Sequence, residues 1–128
     1  MPVRLGVVGL NYWGPNLARN FDRLPGAELA WCCDLDDGLL ERHRPAFPAS
    51  AFTTDLDDLL GDDTLDAVVI ATPVPTHAAL ALQALEAGKH VFVEKPLALD
   101  EGQLASVIDA YGAGNRQIMV GFNRRFAP

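Results

Sequence analysis

Short apolar runs alternate along this chain with segments of helical periodicity. The apolar runs predict strands at residues 3–8, 28–33, 50–53, 67–71, 90–93 and 117–120. The segments between them predict helices at residues 15–24, 36–44, 55–60, 78–87 and 101–113. This regular alternation is typical of βαβ units, in which each helix carries the chain back so that successive strands run parallel.

Individual residues indicate where several of these helices begin and end. Pro25 and Gly26 end the first helix, because proline cannot continue it and glycine favours a turn. Thr54, Thr76 and Asp100 are the expected N-caps of the last three helices. Gly88 follows the helix at 78–87 in the position where left-handed backbone commonly ends a helix.

Right-handed crossovers between these elements predict an α/β fold with a doubly wound, mostly parallel sheet. The expected strand order is 3-2-1-4-5-6, with helices on both faces. At 128 residues the chain is long enough for one such domain. Ligands of these sheets bind beyond the carboxyl ends of the strands, where the strand order reverses, so residues at strand ends matter most for function.

Composition excludes several classes of partner. The ten basic and seventeen acidic residues give a net charge of −7, which repels phosphate backbones and anionic lipids. We therefore expect no nucleic acid partner and no membrane partner. The chain has no apolar run of some 18 residues, and its start lacks the apolar core of a signal peptide, so a cytoplasmic location is expected.

Two adjacent cysteines, Cys32 and Cys33, lie on a predicted strand. Successive strand side chains point to opposite faces, so the two thiols should not pair with each other. Without a C-x-x-C spacing or a histidine cluster, they are expected to be reduced core residues, with a reactive thiol as the less favoured alternative. No metal site is expected.

The first strand leads through a glycine turn into a helix, which is where a dinucleotide pyrophosphate binds in such folds. Gly9 is expected to close the turn, and Gly14 to allow the helix to pack closely on the strand. Asn11 replaces the middle glycine of G-x-G-x-x-G. An asparagine with positive φ costs about 1 kcal/mol or more, so reduced cofactor affinity is expected. The alternative is an ordinary strand-turn-helix with two chance glycines.

Asp34 ends the second strand, at the spacing from the glycine turn that a ribose-binding acid requires. A carboxylate there accepts hydrogen bonds from the 2′- and 3′-hydroxyls of an adenosine ribose and repels a 2′-phosphate. The cofactor predicted on this basis is NAD in preference to NADP. The alternative is a simple turn aspartate within Asp34-Leu-Asp-Asp37.

Polar residues also follow the fourth and fifth strands. His77 falls in the first turn of the helix after strand four, where a histidine is more often a capping or packing residue than a catalyst. Glu94-Lys95-Pro96 ends strand five, and a lysine there could polarise a substrate oxygen or relay its proton. The alternative for Glu94 and Lys95 is a surface ion pair.

Taken together, these segments resemble one known family. The chain is similar over nearly its whole length to the dinucleotide-binding domain of the glucose-fructose oxidoreductase/inositol dehydrogenase (Gfo/Idh/MocA) family, and the Glu-Lys-Pro segment is its most specific motif. The segments that carry the resemblance are Gly9-Leu-Asn-Tyr-Trp-Gly-Pro-Asn16, Asp34, Ala71-Thr-Pro73 with His77, Glu86-Ala-Gly-Lys-His-Val-Phe-Val-Glu-Lys-Pro96 and Gly121-Phe-Asn-Arg-Arg-Phe126.

The resemblance implies roles for individual positions. Backbone groups of Tyr12 and Trp13 would touch the pyrophosphate, and Asp34 would bind the adenosine ribose. The loop with Thr72, Pro73 and His77 would line the nicotinamide half of the site. Glu94 and Lys95 would lie near the nicotinamide ribose and the substrate, with Lys95 assisting hydride transfer at a sugar or polyol carbon. Arg124 or Arg125 could contact cofactor or substrate.

The resemblance also implies a two-domain oxidoreductase whose second domain holds the substrate. Residues 1–128 correspond to the dinucleotide-binding domain alone, so we expect cofactor binding with little or no turnover, and self-association through the face that the second domain would cover. One alternative is a non-enzymatic module that senses nucleotide or binds a protein. Another is a binder of nucleotide-sugars or coenzyme A, which is disfavoured by Asp34.

Overall fold

The computed structural model describes residues 2–121 and contains one six-stranded parallel sheet. Its strand order is β3-β2-β1-β4-β5-β6, which confirms the predicted doubly wound topology. The strands are β1 (Val3–Val8), β2 (Ala27–Cys33), β3 (Ala51–Thr53), β4 (Ala67–Ile70), β5 (His90–Glu94) and β6 (Ile118–Gly121).

Helices cover both faces of this sheet, as predicted. They are α1 (Gly14–Arg23), α2 (Asp37–His43), α3 (Leu56–Leu60), α4 (His77–Glu86) and α5 (Glu101–Ala113), with short 3₁₀ turns at Arg44–Ala46 and Val74–Thr76. One apolar core cluster joins the sheet to α3, α4 and α5, and the other joins it to α1 and α2. Strands buried on both faces explain the nearly continuous apolar runs in the sequence.

The helix caps differ from the predictions at two positions. Thr54 does not cap α3, because the helix begins one residue later and the Asp55 side chain accepts a hydrogen bond from the Asp57 amide at 2.9 Å. Thr76 precedes α4 but makes no capping bond to it, since its hydroxyl donates to the Pro73 carbonyl at 2.6 Å. The predictions for Asp100, whose carboxylate caps α5, and for Gly88, with φ of +80°, are confirmed.

Asp62, in the turn between α3 and β4, connects three parts of the fold. Its carboxylate accepts hydrogen bonds from the Trp31 indole at 2.8 Å and from the Thr64 amide and hydroxyl. Its backbone carbonyl accepts one at 2.7 Å from the ammonium of Lys89, a residue that is buried. The hydrogen bonds from Thr64 and Trp31 lower the pKa of Asp62 to about 2.

Both cysteines are free and buried, in agreement with the sequence-based expectation. Burial raises the pKa of Cys32 to about 12 and that of Cys33 to about 11. Within residues 2–121, no helix combines the length and apolar character needed to cross a bilayer.

Candidate functional site

The turn between β1 and α1 is packed so tightly that two of its positions accept only glycine. Gly9 has φ of +100°, and a Cβ there would lie 2.6 Å from the Ala71 carbonyl oxygen at the end of β4. A Cβ on Gly14 would overlap the Gly9 carbonyl oxygen. Gly14 thus allows the start of α1 to contact the backbone of the turn at Gly9. The sequence had instead predicted that Gly14 allows close packing of the helix on the strand.

Asn11 adopts an ordinary backbone conformation. No residue other than glycine has a positive φ between residues 2 and 121, so the conformational cost expected for Asn11 is absent. That expectation was wrong because the turn places its left-handed residue at Gly9. The effect of Asn11 on cofactor affinity remains a prediction, now resting on its side chain, which lines the cavity described below.

Three successive backbone amides in the turn that leads into α1 have no acceptor in the described part of the chain. They belong to Asn11, Tyr12 and Trp13, whose side chains are exposed. The preceding amides are occupied, since Gly9 donates to the Cys33 carbonyl and Leu10 to the Asp34 carboxylate, both at 2.8 Å. Unpaired amides at a helix start, together with the helix dipole, form a site suited to an anion.

Asp34 is half-buried at the end of β2 and holds the turn in place. Its Oδ2 accepts from the Leu10 amide and its Oδ1 from the Asp36 amide, each at 2.8 Å. Each oxygen of a carboxylate has about two acceptor sites, so both oxygens can accept a further hydrogen bond from a ligand. Asp34 therefore stabilises a turn, as the alternative from the sequence proposed, and its remaining acceptor sites are compatible with ligand binding.

A cavity of about 520 Å³ lies between the end of β2 and the end of β4. Gly9 and Asp34 line it, and so do Thr72 and Pro73 on the opposite side. The sequence analysis did not identify most of the residues in its wall, although all of them end a strand, follow one or lie in the first turn of the next helix. The lining residues that were not predicted are Val8, Cys33, Leu35, Asp36, Leu39, Thr54, Leu56, Ala71, Thr76 and Leu80.

The loop after β4 is held by hydroxyl groups. Because the Thr76 hydroxyl donates to the Pro73 carbonyl at 2.6 Å, the 2.6 Å contact between the Thr72 and Thr76 hydroxyls has Thr72 as its donor. The Thr72 oxygen then offers only acceptor sites to the cavity. This favours a ligand that presents an N–H or O–H group at this position.

His77 is buried, with 1% of its surface exposed, and does not line the cavity. Its Nε2 lies 2.7 Å from the Thr72 carbonyl oxygen and its Nδ1 lies 2.9 Å from the Pro96 carbonyl oxygen. The ring therefore connects the loop after β4 to the loop after β5.

Glu94 and Lys95 lie at the carboxyl end of β5. Glu94 is half-buried, and its Oε1 is buried with no hydrogen-bond partner among residues 2–121. Burial raises the pKa of Glu94, while the nearby Trp13 indole and then His77 and Lys95 oppose the rise. Lys95 is exposed, and the predicted alternatives Arg124 and Arg125 lie outside the described residues.

The comparisons with known proteins agree with this arrangement. Residues 3–122 match the model of the Gfo/Idh/MocA family, described as an oxidoreductase family with an NAD-binding Rossmann fold. The chain belongs to this family. It is thus a dinucleotide-binding oxidoreductase domain, as the resemblance in the sequence implied.

Individual members of the Gfo/Idh/MocA family cover almost the whole chain. An inositol 2-dehydrogenase of Acidothermus cellulolyticus is 37% identical over 98% of this chain and 38% of its own length. Inositol 2-dehydrogenase 1 of Saccharopolyspora erythraea is 41% identical over the full chain and 39% of its own length. The crystal structure of myo-inositol 2-dehydrogenase from Lactobacillus plantarum superimposes with a TM-score of 0.92 at 29% identity, over 99% of this chain and 38% of that one. The chain therefore spans less than two fifths of the length of these relatives.

Proposed function

We propose that this domain binds NAD(H) across the carboxyl ends of β1, β2 and β4. The observation that carries the proposal is the set of three amides without an acceptor, which belong to Asn11, Tyr12 and Trp13. The pyrophosphate would bind these amides. The fit is supported by the space that Gly9 leaves beside Ala71, because a Cβ there would collide with the backbone that forms the cavity wall.

In this orientation the adenosine lies in the 520 Å³ cavity, with its ribose hydroxyls on Asp34. Both Asp34 oxygens retain acceptor sites for them. A 2′-phosphate would instead meet the Asp34 carboxylate and the neighbouring carboxylates of Asp36 and Asp37. We therefore propose a preference for NAD over NADP.

The nicotinamide half would extend past Thr72 and Pro73, out of the cavity and toward the end of β5. When bound, the nicotinamide ring supplies the acceptor or donor of a hydride. Lys95 is the candidate catalytic residue, since its exposed side chain could accept the proton of a substrate hydroxyl as the neutral amine and return it to the oxygen as the ammonium in the reverse direction. Glu94 is proposed to lie near the nicotinamide ribose.

We further propose that the chain is the dinucleotide-binding part of a two-domain oxidoreductase acting on a sugar, cyclitol or nucleotide-sugar hydroxyl. The support is that relatives named inositol 2-dehydrogenase match it over 38–39% of their length. Substrate would bind only with a second domain, so the 128-residue chain should bind cofactor with little or no turnover. Self-association is proposed through the face that a second domain would cover.

A cytoplasmic location is proposed on the basis of the two free cysteines, which persist in reducing compartments. The net charge of −7 supports the proposal that nucleic acids and anionic membranes are not partners.

Calorimetric titration with NADH and NADPH tests the cofactor proposal. NADH is expected to bind at least about tenfold more tightly than NADPH. Asp34→Asn should narrow this ratio, because it removes the charge that repels the 2′-phosphate. Asp109→Asn removes the same charge from an exposed position on α5 and should leave the ratio unchanged. If neither dinucleotide binds at millimolar concentration, the cofactor proposal is wrong.

The main alternative is a non-enzymatic module that senses nucleotide or binds a protein. A nucleotide-sensing module would also bind a dinucleotide, and the oxidoreductase domain alone is expected to show little or no turnover. Only turnover that is actually detected therefore separates the two functions. Hydride transfer from any sugar or cyclitol to NAD by this chain would exclude the non-enzymatic alternative.

A further inference from the structure

The His77 ring has carbonyl oxygens at both of its nitrogens. Thr72 O lies 2.7 Å from Nε2, and Pro96 O lies 2.9 Å from Nδ1. A carbonyl oxygen can only accept a hydrogen bond, so each contact needs an N–H on the ring. A neutral imidazole has one N–H and an imidazolium has two. Both hydrogen bonds therefore exist together only when the ring carries both protons.

The two carbonyls belong to loops in different parts of the candidate site. Thr72 lines the cavity at the end of β4, whereas Pro96 directly follows Lys95 at the end of β5. Among residues 2–121, His77 is the side chain that joins these loops by hydrogen bonds, and it is buried at the first residue of α4. The ring thus connects the backbone next to Lys95 with the wall of the cavity.

We propose that His77 is a positioning residue whose protonation decides whether both loops are tied together. The doubly protonated ring binds Thr72 and Pro96 simultaneously and fixes Lys95 beside the dinucleotide site. Loss of one proton leaves a nitrogen lone pair facing a carbonyl oxygen, and one loop is released. Only the roles assigned to the two loops rest on the proposed function. The hydrogen bonds from His77 to both loops are a property of the ligand-free chain.

The charges around the ring are compatible with this behaviour. Glu94 at the end of β5 is close enough for its carboxylate to stabilise a charged ring, and Lys95 follows it. The loop after β4 and the first turn of α4 contribute no charged side chain. Helix α5, which packs along α4, carries Glu101 and Asp109 at exposed positions.

Nitrogen-15 spectra of the histidine rings, recorded over about pH 5.5 to 9, test these two hydrogen bonds in the full chain without ligand. We expect two protonated His77 nitrogens at every pH at which the amide signals of Val74 and Leu97 hold their low-pH positions. Leu97 directly follows the Pro96 carbonyl, and Val74 has the first N–H after the Thr72 carbonyl, because Pro73 has none. As the ring loses a proton, at least one of these amide signals should shift with the same midpoint. His90 is an internal control, because its Nδ1 accepts from the Gln117 amide at 2.9 Å and its neutral form must therefore carry its proton on Nε2.

Two results would overturn the proposal. One is a His77 ring with a single proton throughout the range. The other is a ring titration that leaves the amides of both loops unchanged. Neither readout involves the cofactor, so they stay decisive even if NADH does not bind and the proposed function fails.

Binding measurements extend the test to function. His77→Phe keeps a ring but makes neither hydrogen bond. It is expected to weaken NADH binding about tenfold at a pH where the spectra show both His77 nitrogens protonated, and less at a pH where they show one. His77→Gln can donate from one nitrogen only, so it should give an intermediate loss and a flatter pH profile, and it serves if His77→Phe does not fold. His43→Gln, on the other face of the sheet, should behave as wild type. Equal losses at both pH values in both His77 variants would indicate a purely structural role and overturn the proposal.

Discussion

Asp34 shows how one side chain can serve the fold and the site at once. Its position at a strand end could be predicted from the spacing to the glycine turn. Its bond to the Leu10 amide could not, because that bond joins residues 24 apart in the sequence and depends on how β1 and β2 align. The same holds for His77. Its place near a strand end could be predicted from the sequence, but its hydrogen-bond acceptors could not, because they lie in two separate loops.

The contact between Gly14 and Gly9 gives the sharpest prediction for a single residue. Gly14→Ala places a Cβ against the Gly9 carbonyl, so the turn must open, and we expect a loss of about 1–3 kcal/mol in the free energy of unfolding. NADH binding should weaken as well, because the same turn presents the free amides. Urea denaturation and calorimetry measure the two effects.

Gly112→Ala is the matched control for this change. Gly112 lies in α5 with open space where a Cβ would lie, so alanine there should leave stability unchanged or raise it by up to about 1 kcal/mol. Equal destabilisation by both substitutions would contradict the role assigned to the turn.

At the scale of elements, the pattern of apolar runs predicted every strand to within a residue or two and predicted the strand order correctly. It succeeded because a parallel sheet buried on both faces needs continuous apolar strands, and crossover handedness leaves few topologies. The helix caps were less predictable. Asp55 and Thr54 are both good capping residues, and only the chain geometry after β3 selects Asp55.

The Asp62 cluster predicts a pH dependence of stability. Hydrogen bonds in the folded state lower the pKa of Asp62 from an ordinary value of 3.8 to about 2. The ionised carboxylate therefore stabilises the fold above about pH 4, and this contribution is lost as the pH falls toward 2. Asp62→Asn should lower the free energy of unfolding at pH 7 by about 1 kcal/mol and reduce its slope between these pH values.

Urea denaturation at several pH values measures this effect. Asp63→Asn removes a neighbouring, exposed carboxylate that makes none of these bonds and should leave both stability and slope nearly unchanged. A wild-type slope that persists in Asp62→Asn would show that other carboxylates cause the acid sensitivity.

The buried cysteines of β2 predict low chemical reactivity. With pKa values of about 12 and about 11, Cys32 and Cys33 are almost entirely protonated at pH 8, and the thiolate is the reactive form. A thiol reagent should therefore modify them only as fast as the native protein opens, and quickly in denaturant. Cys33 also lines the cavity, so NADH should slow its modification further. Rapid reaction of the native protein at pH 8 would contradict this.

For the whole molecule, the site is a product of sheet topology. The cavity combines residues that follow β1, β2, β3 and β4, which are brought together only after the central strands pair. Glu94 and Lys95 come from β5, on the far side of β4 from β1, and do not line the cavity. In the proposed orientation the domain thus encloses the adenosine half of the dinucleotide and leaves the nicotinamide half open.

This asymmetry predicts which parts of the dinucleotide stabilise the fold. Because the cavity needs four strand ends in place, a ligand that fills it binds the folded chain and not the unfolded one. At a ligand concentration of a hundred times its Kd, it raises the free energy of unfolding by about 2.7 kcal/mol. ADP-ribose, which keeps the adenosine and the pyrophosphate, should bind within about tenfold of NADH and raise the melting temperature nearly as much. Nicotinamide mononucleotide should bind at least about a hundredfold more weakly, since it lacks the adenosine and carries a single phosphate. Thermal denaturation with each ligand in turn measures this order, and a larger rise with nicotinamide mononucleotide than with ADP-ribose would mean that the proposed orientation is reversed.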